Sequence, residues 1–366
     1  MQKDFHYYAT YCAAFLAGFS HEECMDICYS AQFTDWCSYT LLTKLGAPRS
    51  AATTQLQLEM MDAPTNIISL QNITRIWSSF HFLPGDLYAT KKGCSKRYLA
   101  KYRLICNPNS ELVVKTVEQA KDVSLQAIGI SMHVLADTWA HRYFAGTPSL
   151  VINNTDSYFF EILPDGDSVI EKRITFKHNP SIEDNLEKSE YVSSLYQNNE
   201  NSIMNLGHGR AGHLPDYSFI KYKYLPAWGD YDEIIKDNPS DYIHAFTQMI
   251  RAMKYLHGDV ESFKTEEYDF DAIGSYRDEI EGILRKRQLD SNDDWKAFGE
   301  KLSGCVIEDF DMNKYQDEYI SASKDEKDNT FIGKFIQAAL AQKGMVTNAI
   351  YKSGNILAGF SKEVRL

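Results

Sequence analysis

Three side chains of metal-ligand type recur every fourth residue within an apolar stretch, and this constrains the chain more than any other feature. In Met132-His133-Val134-Leu135-Ala136-Asp137-Thr138-Trp139-Ala140-His141, residues His133, Asp137 and His141 stand at i, i+4 and i+8. At about 100° per residue they drift by only about 40° per step, so all three share one helix face. Ile128, Ile130, Met132, Val134, Leu135 and Trp139 make the rest of that helix apolar, which predicts burial. Burying three polar side chains unpaired is costly. A metal ion satisfies all three at once, and imidazole with carboxylate suits zinc. The plainer reading is that these side chains pair with one another or with backbone.

The chain has 366 residues, 44% hydrophobic and 24% charged, which excludes disorder as its main state and allows a sizeable core. With 38 Lys+Arg against 50 Asp+Glu the net charge is −12. Such a chain repels duplex nucleic acid and anionic membranes at long range, so polymeric nucleic acid is disfavoured as a partner. No apolar run reaches the roughly 18 residues of a transmembrane segment. The opening MQKDFHYYATYCAAFLAGF is interrupted by Asp4 and His6 and carries one Lys, so it reads as a first helix, not a signal peptide. Seven cysteines, four of them within the first 37 residues, read as buried free thiols; together with the lack of a leader they imply a cytoplasmic setting.

The overall pattern predicts a mainly α fold. A buried helix is expected over Asp4–Phe19, and Ser20-His21-Glu22-Glu23 forms a capping box opening a second helix that runs to about Phe33. A long helix is expected over Val117–Phe144, stopped by Gly146 and Pro148. Residues 157–177 alternate around Pro-Asp-Gly-Asp and predict a β-hairpin insertion. Residues 182–205 look polar and helical. Asn238-Pro239-Ser240-Asp241 starts a helix to about His257, and three or four more follow, the last from about Thr330. This divides the chain into a helical metal-binding core over residues 1–260 and a helical C-terminal region, 261–366, packed on it.

Other candidate ligands are dispersed. His6 lies in the first helix, Asp35 just after the second, and His81 in Ser-Phe-His-Phe-Leu-Pro-Gly-Asp. A glycine-punctuated loop, Gly207-His208-Gly209-Arg210-Ala211-Gly212-His213-Leu214-Pro215-Asp216, offers His208, His213 and Asp216, with the two histidines competing for one place. Each alone reads equally well as a core or turn residue. Trp36, Trp77, Phe80, Phe82 and Tyr143 are candidate pocket walls, though any one of them fits ordinary core packing.

In chain order, His6, Asp35, His81, His133-x-x-x-Asp137-x-x-x-His141, then His208 or His213 with Asp216, resembles the zinc-dependent phospholipase C and single-strand nuclease superfamily. The segments DFHYYATYCAAFLAGFSHEEC, YSAQFTDWCS, HVLADTWAHRYFAG and GHGRAGHLPD look more closely like an uncharacterised bacterial domain family related to those enzymes. The close resemblance covers the N-terminal half and thins after about residue 230. It implies a multi-helical phospholipase C-like core and two to three zinc ions held by these positions. It also implies a metal contact from the amine of the first residue; Met1 lies five residues before His6.

The function so implied is a zinc-dependent phosphoesterase, in which metal-activated water attacks a phosphodiester and Asp35 orients that water or takes its proton. The substrate would be a small phosphodiester or a phospholipid. Two other readings stay open: a non-catalytic protein whose helices are stapled by zinc, and a metal-free helical interaction scaffold.

Overall fold

The computed structural model describes residues 1–61, 66–166, 168–178, 182–193 and 206–360. The first turn, Asp4–Ala9, is wound as a π-helix and carries His6, and an α-helix continues over Thr10–Leu16. Such wide turns are rare and often mark functional sites. Ser20 and Glu23 form the reciprocal capping box the sequence predicts, opening the helix His21–Phe33.

The expected long helix over 117–144 is two helices, Glu111–Ala120 and Leu125–Ala140. Between them Asp122 takes a left-handed φ of 59°, and Ser124 caps the second helix through Ala127 N–H. An Asp adopts that conformation at modest cost, and a Ser cap restarts a helix, so apolar periodicity on both sides hid the break. The helix Leu125–Ala140 is central: His21–Phe33, Ile67–Phe80, Asn238–His257 and Phe331–Lys352 all pack on it. Gly129 permits the closest of these approaches, because a Cβ there would lie 2.4 Å from the Ile27 carbonyl oxygen and 2.5 Å from Ser30 Cβ.

The mainly α expectation is overturned. Beside the helices stands a four-stranded antiparallel sheet in the order β2-β1-β5-β6, built from β1 (Thr155–Asp165), β2 (Ser168–Arg173), β5 (Lys221–Pro226) and β6 (Ile234–Asp237). A parallel pair, β3 (Thr175–Lys177) and β4 (Glu190–Val192), lies apart from it. The fold is mixed α/β. The β1–β2 hairpin is present, with Phe160 opposite Arg173 and Asp165 opposite Ser168. It is not a free-standing insertion, because β5 pairs with the other side of β1. Strands of three to six residues are too short to show a period-two pattern, and β4 falls where a polar helix was expected. Residues 182–189 of that expected helix form turns and an isolated bridge, and 194–205 lie outside the described residues.

A large apolar core runs through the helices and includes C-terminal residues: Trp295 meets Phe5 and Phe335 meets Phe33 edge-on. A second core, containing Phe82, Phe144, Phe159, Leu214, Tyr222 and Tyr224, backs the sheet. Five cysteines are buried, Cys94 and Cys305 are half-buried, and all seven are free. Among the described residues no helix is long and apolar enough to cross a membrane.

Candidate metal centre

The apolar packing of Leu125–Ala140 turns one face, carrying His133 and Asp137, toward the ends of several other elements. His141 is the C-cap of this helix, so its side chain leaves at the helix end. The wide first turn brings His6 Nε2 to 3.1 Å from Asp137 Oδ1. The Met1 nitrogen lies 2.7 Å from the same oxygen, 3.3 Å from His141 Nε2 and 3.3 Å from Asp216 Oδ1. His81, the C-cap of Ile67–Phe80, sets Nδ1 3.1 Å from Asp137 Oδ2 and 3.2 Å from His133 Nε2. Asp35, in the turn after His21–Phe33, has Oδ1 3.7 Å from His81 Nδ1 and 3.9 Å from His133 Nε2.

Three sets of donor atoms result, each lying within 4.8 Å of one another: His6, His133 and Asp137; Asp35, His81 and His133; and His141, His208 and Asp216. Asp137 lies at the centre, touching His6, His81, His133 and the Met1 nitrogen. Asp216 Oδ1 sits 3.2 Å from His141 Nε2 and Asp216 Oδ2 3.7 Å from His208 Nε2. Of the two histidines in the glycine loop, His208 joins a donor set and lines the cavity, whereas the His213 side chain is 55% exposed with its Nδ1 3.7 Å from Asp216 Oδ2. The loop holds His208 through Gly212, whose φ of +56° and lack of a Cβ let it pass 2.4 Å, by that missing atom, from the Val192 carbonyl oxygen.

The outer nitrogens of three rings are committed to backbone carbonyls. His81 Nε2–H donates to Thr53 O at 3.1 Å, His141 Nδ1–H to His81 O at 2.7 Å, and His208 Nδ1–H to Gly212 O at 2.7 Å. A carbonyl can only accept, so the outer nitrogen carries the proton and, in a neutral ring, the inner one presents a lone pair. Burial, the largest cause, holds His208 down to about 4, and burial with His133 beside it does the same for His6. These two rings are therefore neutral near pH 7. Burial pushes the Asp137 carboxyl up, but His141, the Met1 nitrogen, His133 and His6 outweigh it and hold it well below the usual carboxylate range. Asp216 is likewise opposed by burial and held ionised by His208 and the Met1 nitrogen. Burial also opposes charge on the Met1 amine, and Asp137, Asp216 and Asp35 more than offset it, raising it to about 11.

Imidazole nitrogens and carboxylate oxygens thus converge around the Met1 amine and Asp137. Outer N–H groups fixed on carbonyls with inner lone pairs gathered together are the arrangement of metal-bound histidines. Each set offers the donors for a metal ion, with His133 common to the first two. A cavity of about 170 Å³ opens onto them, lined by Asp35, Thr54, Trp77 and Phe82 besides the ligand-type groups. Among the described residues no Lys or Arg side chain lines it. Of the expected walls, Trp77 and Phe82 are there; Phe80 is core, Trp36 is 47% exposed, and Tyr143 packs on Trp228 away from the site. Sequence reasoning missed the Thr53 carbonyl, because a backbone acceptor leaves no residue-type signal, and Thr54, an ordinary loop threonine.

Fold and site together define a mixed α/β protein with a buried polyhistidine–aspartate centre of metal-ligand type. The chain belongs to DUF6765, a family of unknown function whose model matches residues 1–350. No curated protein and no solved structure gives a significant match.

Proposed function

We propose that this protein is a zinc-dependent phosphoesterase. The observation that carries the reading is Asp137 shared by His6, His81 and His133 beside an open cavity, with His81, His141 and His208 anchored to backbone carbonyls through their outer nitrogens. Imidazole and carboxylate donors suit zinc. When bound, zinc supplies a Lewis acid for phosphoryl oxygens and lowers the pKa of water.

The chain's own residues divide the remaining work. His6, His81, His133, His141 and His208 offer lone pairs with their rings fixed by packing or by outer hydrogen bonds. Asp137 and Asp216 supply negative charge in buried positions. Asp35 is the most open carboxylate of the set, with its side chain 31% exposed, so it can take a proton from attacking water and release it to solvent. Gln32 Nε2 donates to Asp35 Oδ2 at 3.4 Å and steers it. Trp77 and Phe82 wall the cavity and exclude bulk water.

The open cavity favours catalysis over a closed structural site, which would leave no place for substrate. With no Lys or Arg among the described lining residues, a phosphate group depends on bound cations for its counter-charge. The net charge of −12 favours small diesters or phospholipids over polymeric nucleic acid. Elemental analysis of protein purified without added metal is expected to find two to three zinc ions per chain. The zinc-loaded protein is expected to hydrolyse bis(p-nitrophenyl) phosphate, phosphatidylcholine or a single-stranded oligonucleotide. Full zinc loading with no turnover on any of the three would favour the structural-zinc alternative, and less than one equivalent of transition metal would sink both.

A further inference from the structure

A second, larger cavity of about 740 Å³ lies outside the metal centre, within the size range of small-ligand sites. Its walls come from the helix Ile67–Phe80, the helix Lys96–Tyr102, the loop 147–151 and the segment around Ile356 and Leu357. Leu70, Leu150, Val151 and Leu357 make the lining mostly apolar. Most of the uncharged polar groups in it already have protein partners. Thr74 Oγ1 donates to Leu70 O and meets Thr147 Oγ1 at 3.0 Å. Ser149 Oγ accepts from Val151 and Ile152 N–H, and Gln71 Nε2 donates to Ile356 O. The interior therefore behaves as hydrocarbon.

The charge at this cavity is one-sided. Arg97 and Lys101 stand one helical turn apart on Lys96–Tyr102 and both line it. Among the described residues neither Arg97 nor Lys101 has an ion pair. Burial, with Arg97 beside it, pulls the Lys101 amine below its usual value. Like charges at i, i+4 repel unless an anion lies between them. Ile67 and Ile356, 74% and 65% exposed, carry the apolar lining out to the surface, which a water-soluble anion alone would not use.

We propose that this cavity binds a long-chain fatty-acid anion, with the acyl chain in the apolar interior and the carboxylate between Arg97 and Lys101. Arginine's planar fork pairs bidentately with a carboxylate, and lysine adds a point charge. The proposal does not depend on the phosphoesterase reading, since no group of the metal centre lines this cavity.

The test is calorimetric titration of the intact protein with dodecanoate below its micelle concentration, beside dodecanol, dodecyltrimethylammonium and acetate. Dodecanoate is expected to saturate at one per chain, to bind at least 10-fold tighter than the cationic amphiphile, and acetate is expected not to bind. Replacing both cations (Arg97→Gln with Lys101→Gln) is expected to weaken dodecanoate at least 10-fold and leave dodecanol unchanged. Leu70→Trp, which fills the cavity, is expected to abolish both; should that variant fail to fold, the surface double variant still decides. Equal binding of anionic and cationic amphiphiles, unchanged dodecanoate affinity in the double variant, or no binding of any amphiphile overturns the proposal. A concentration-dependent dimer that Leu70→Asp dissolves would assign the surface to a second copy of the chain instead.

Discussion

His81 Nδ1 stands 3.1 Å from Asp137 Oδ2 while its Nε2–H is spent on the Thr53 carbonyl. In a neutral His81 ring two electron-rich atoms then face each other in a buried place, and a cation between them turns repulsion into attraction. Metal removal is expected to cost stability, because binding to the folded state alone adds about 2.7 kcal/mol at 100 times the dissociation constant. Calorimetric melts with and without a chelator, metal loss being checked in the same samples, are expected to show a clear drop. An unchanged melt would place the ions at the periphery.

Asp137 and His133 lie one turn apart within a single helix, so replacing either removes a donor without disturbing a terminus. His133→Ala and Asp137→Asn are each expected to reduce phosphodiester hydrolysis by more than the roughly 10- to 100-fold typical of outer-sphere changes. His257→Ala is the control. That ring pairs with Asp259 at 2.9 Å at the end of a later helix and lines no part of the cavity. Activity surviving both ligand variants would remove the metal from this helix.

Much of this centre was legible because its ligands are chemically distinct residues at helical spacing. His133, Asp137 and His141 announce a shared face, and an apolar surround announces burial. The capping box at Ser20 fixed where the helix delivering Asp35 begins. The choice between His208 and His213 was not legible, because it depends on which way a loop turns at Gly212. The sheet was missed for a similar reason: Lys221–Pro226 and Ile234–Asp237 become strands by pairing with distant partners, and their own patterns are too short to declare it. The break at Asp122 hid behind apolar periodicity that continues on both sides.

Gly129 tests the packing that sets the Asp35 to His133 separation. Alanine would gain up to about 1 kcal/mol in helix propensity. Its Cβ, however, would press on the Ile27 carbonyl and Ala31 N, backbone atoms that cannot swing aside. Overpacking of this kind costs about 1–3 kcal/mol, so the clash should win. Gly129→Ala is expected to lower the melting temperature and to weaken metal affinity, read by denaturation and by competition with a zinc-sensitive dye. A more stable variant with unchanged affinity would show that the two helices have slack.

Lys343 links pH to the same region from behind. Its ammonium is buried on the helix Phe331–Lys352 and donates to the carbonyls of Ser50, at 2.7 Å, and Ala52, the residue preceding Thr53. Burial pulls it down from 10.5 to about 7. The unfolded chain then holds a proton that the folded chain has lost between pH 7 and 10.5, so stability rises with pH across that window. Below pH 7 both states are protonated, and the cost of burying the charge is paid in full. The slope attributable to one such group is at most about 1.4 kcal/mol per pH unit. Lys343→Met is expected to flatten the rise, measured as urea midpoints from pH 7 to 10. It is also expected to loosen the 50–53 segment that supports His81 through Thr53, lowering zinc affinity at every pH. A variant that keeps the wild-type slope would show that another group titrates there.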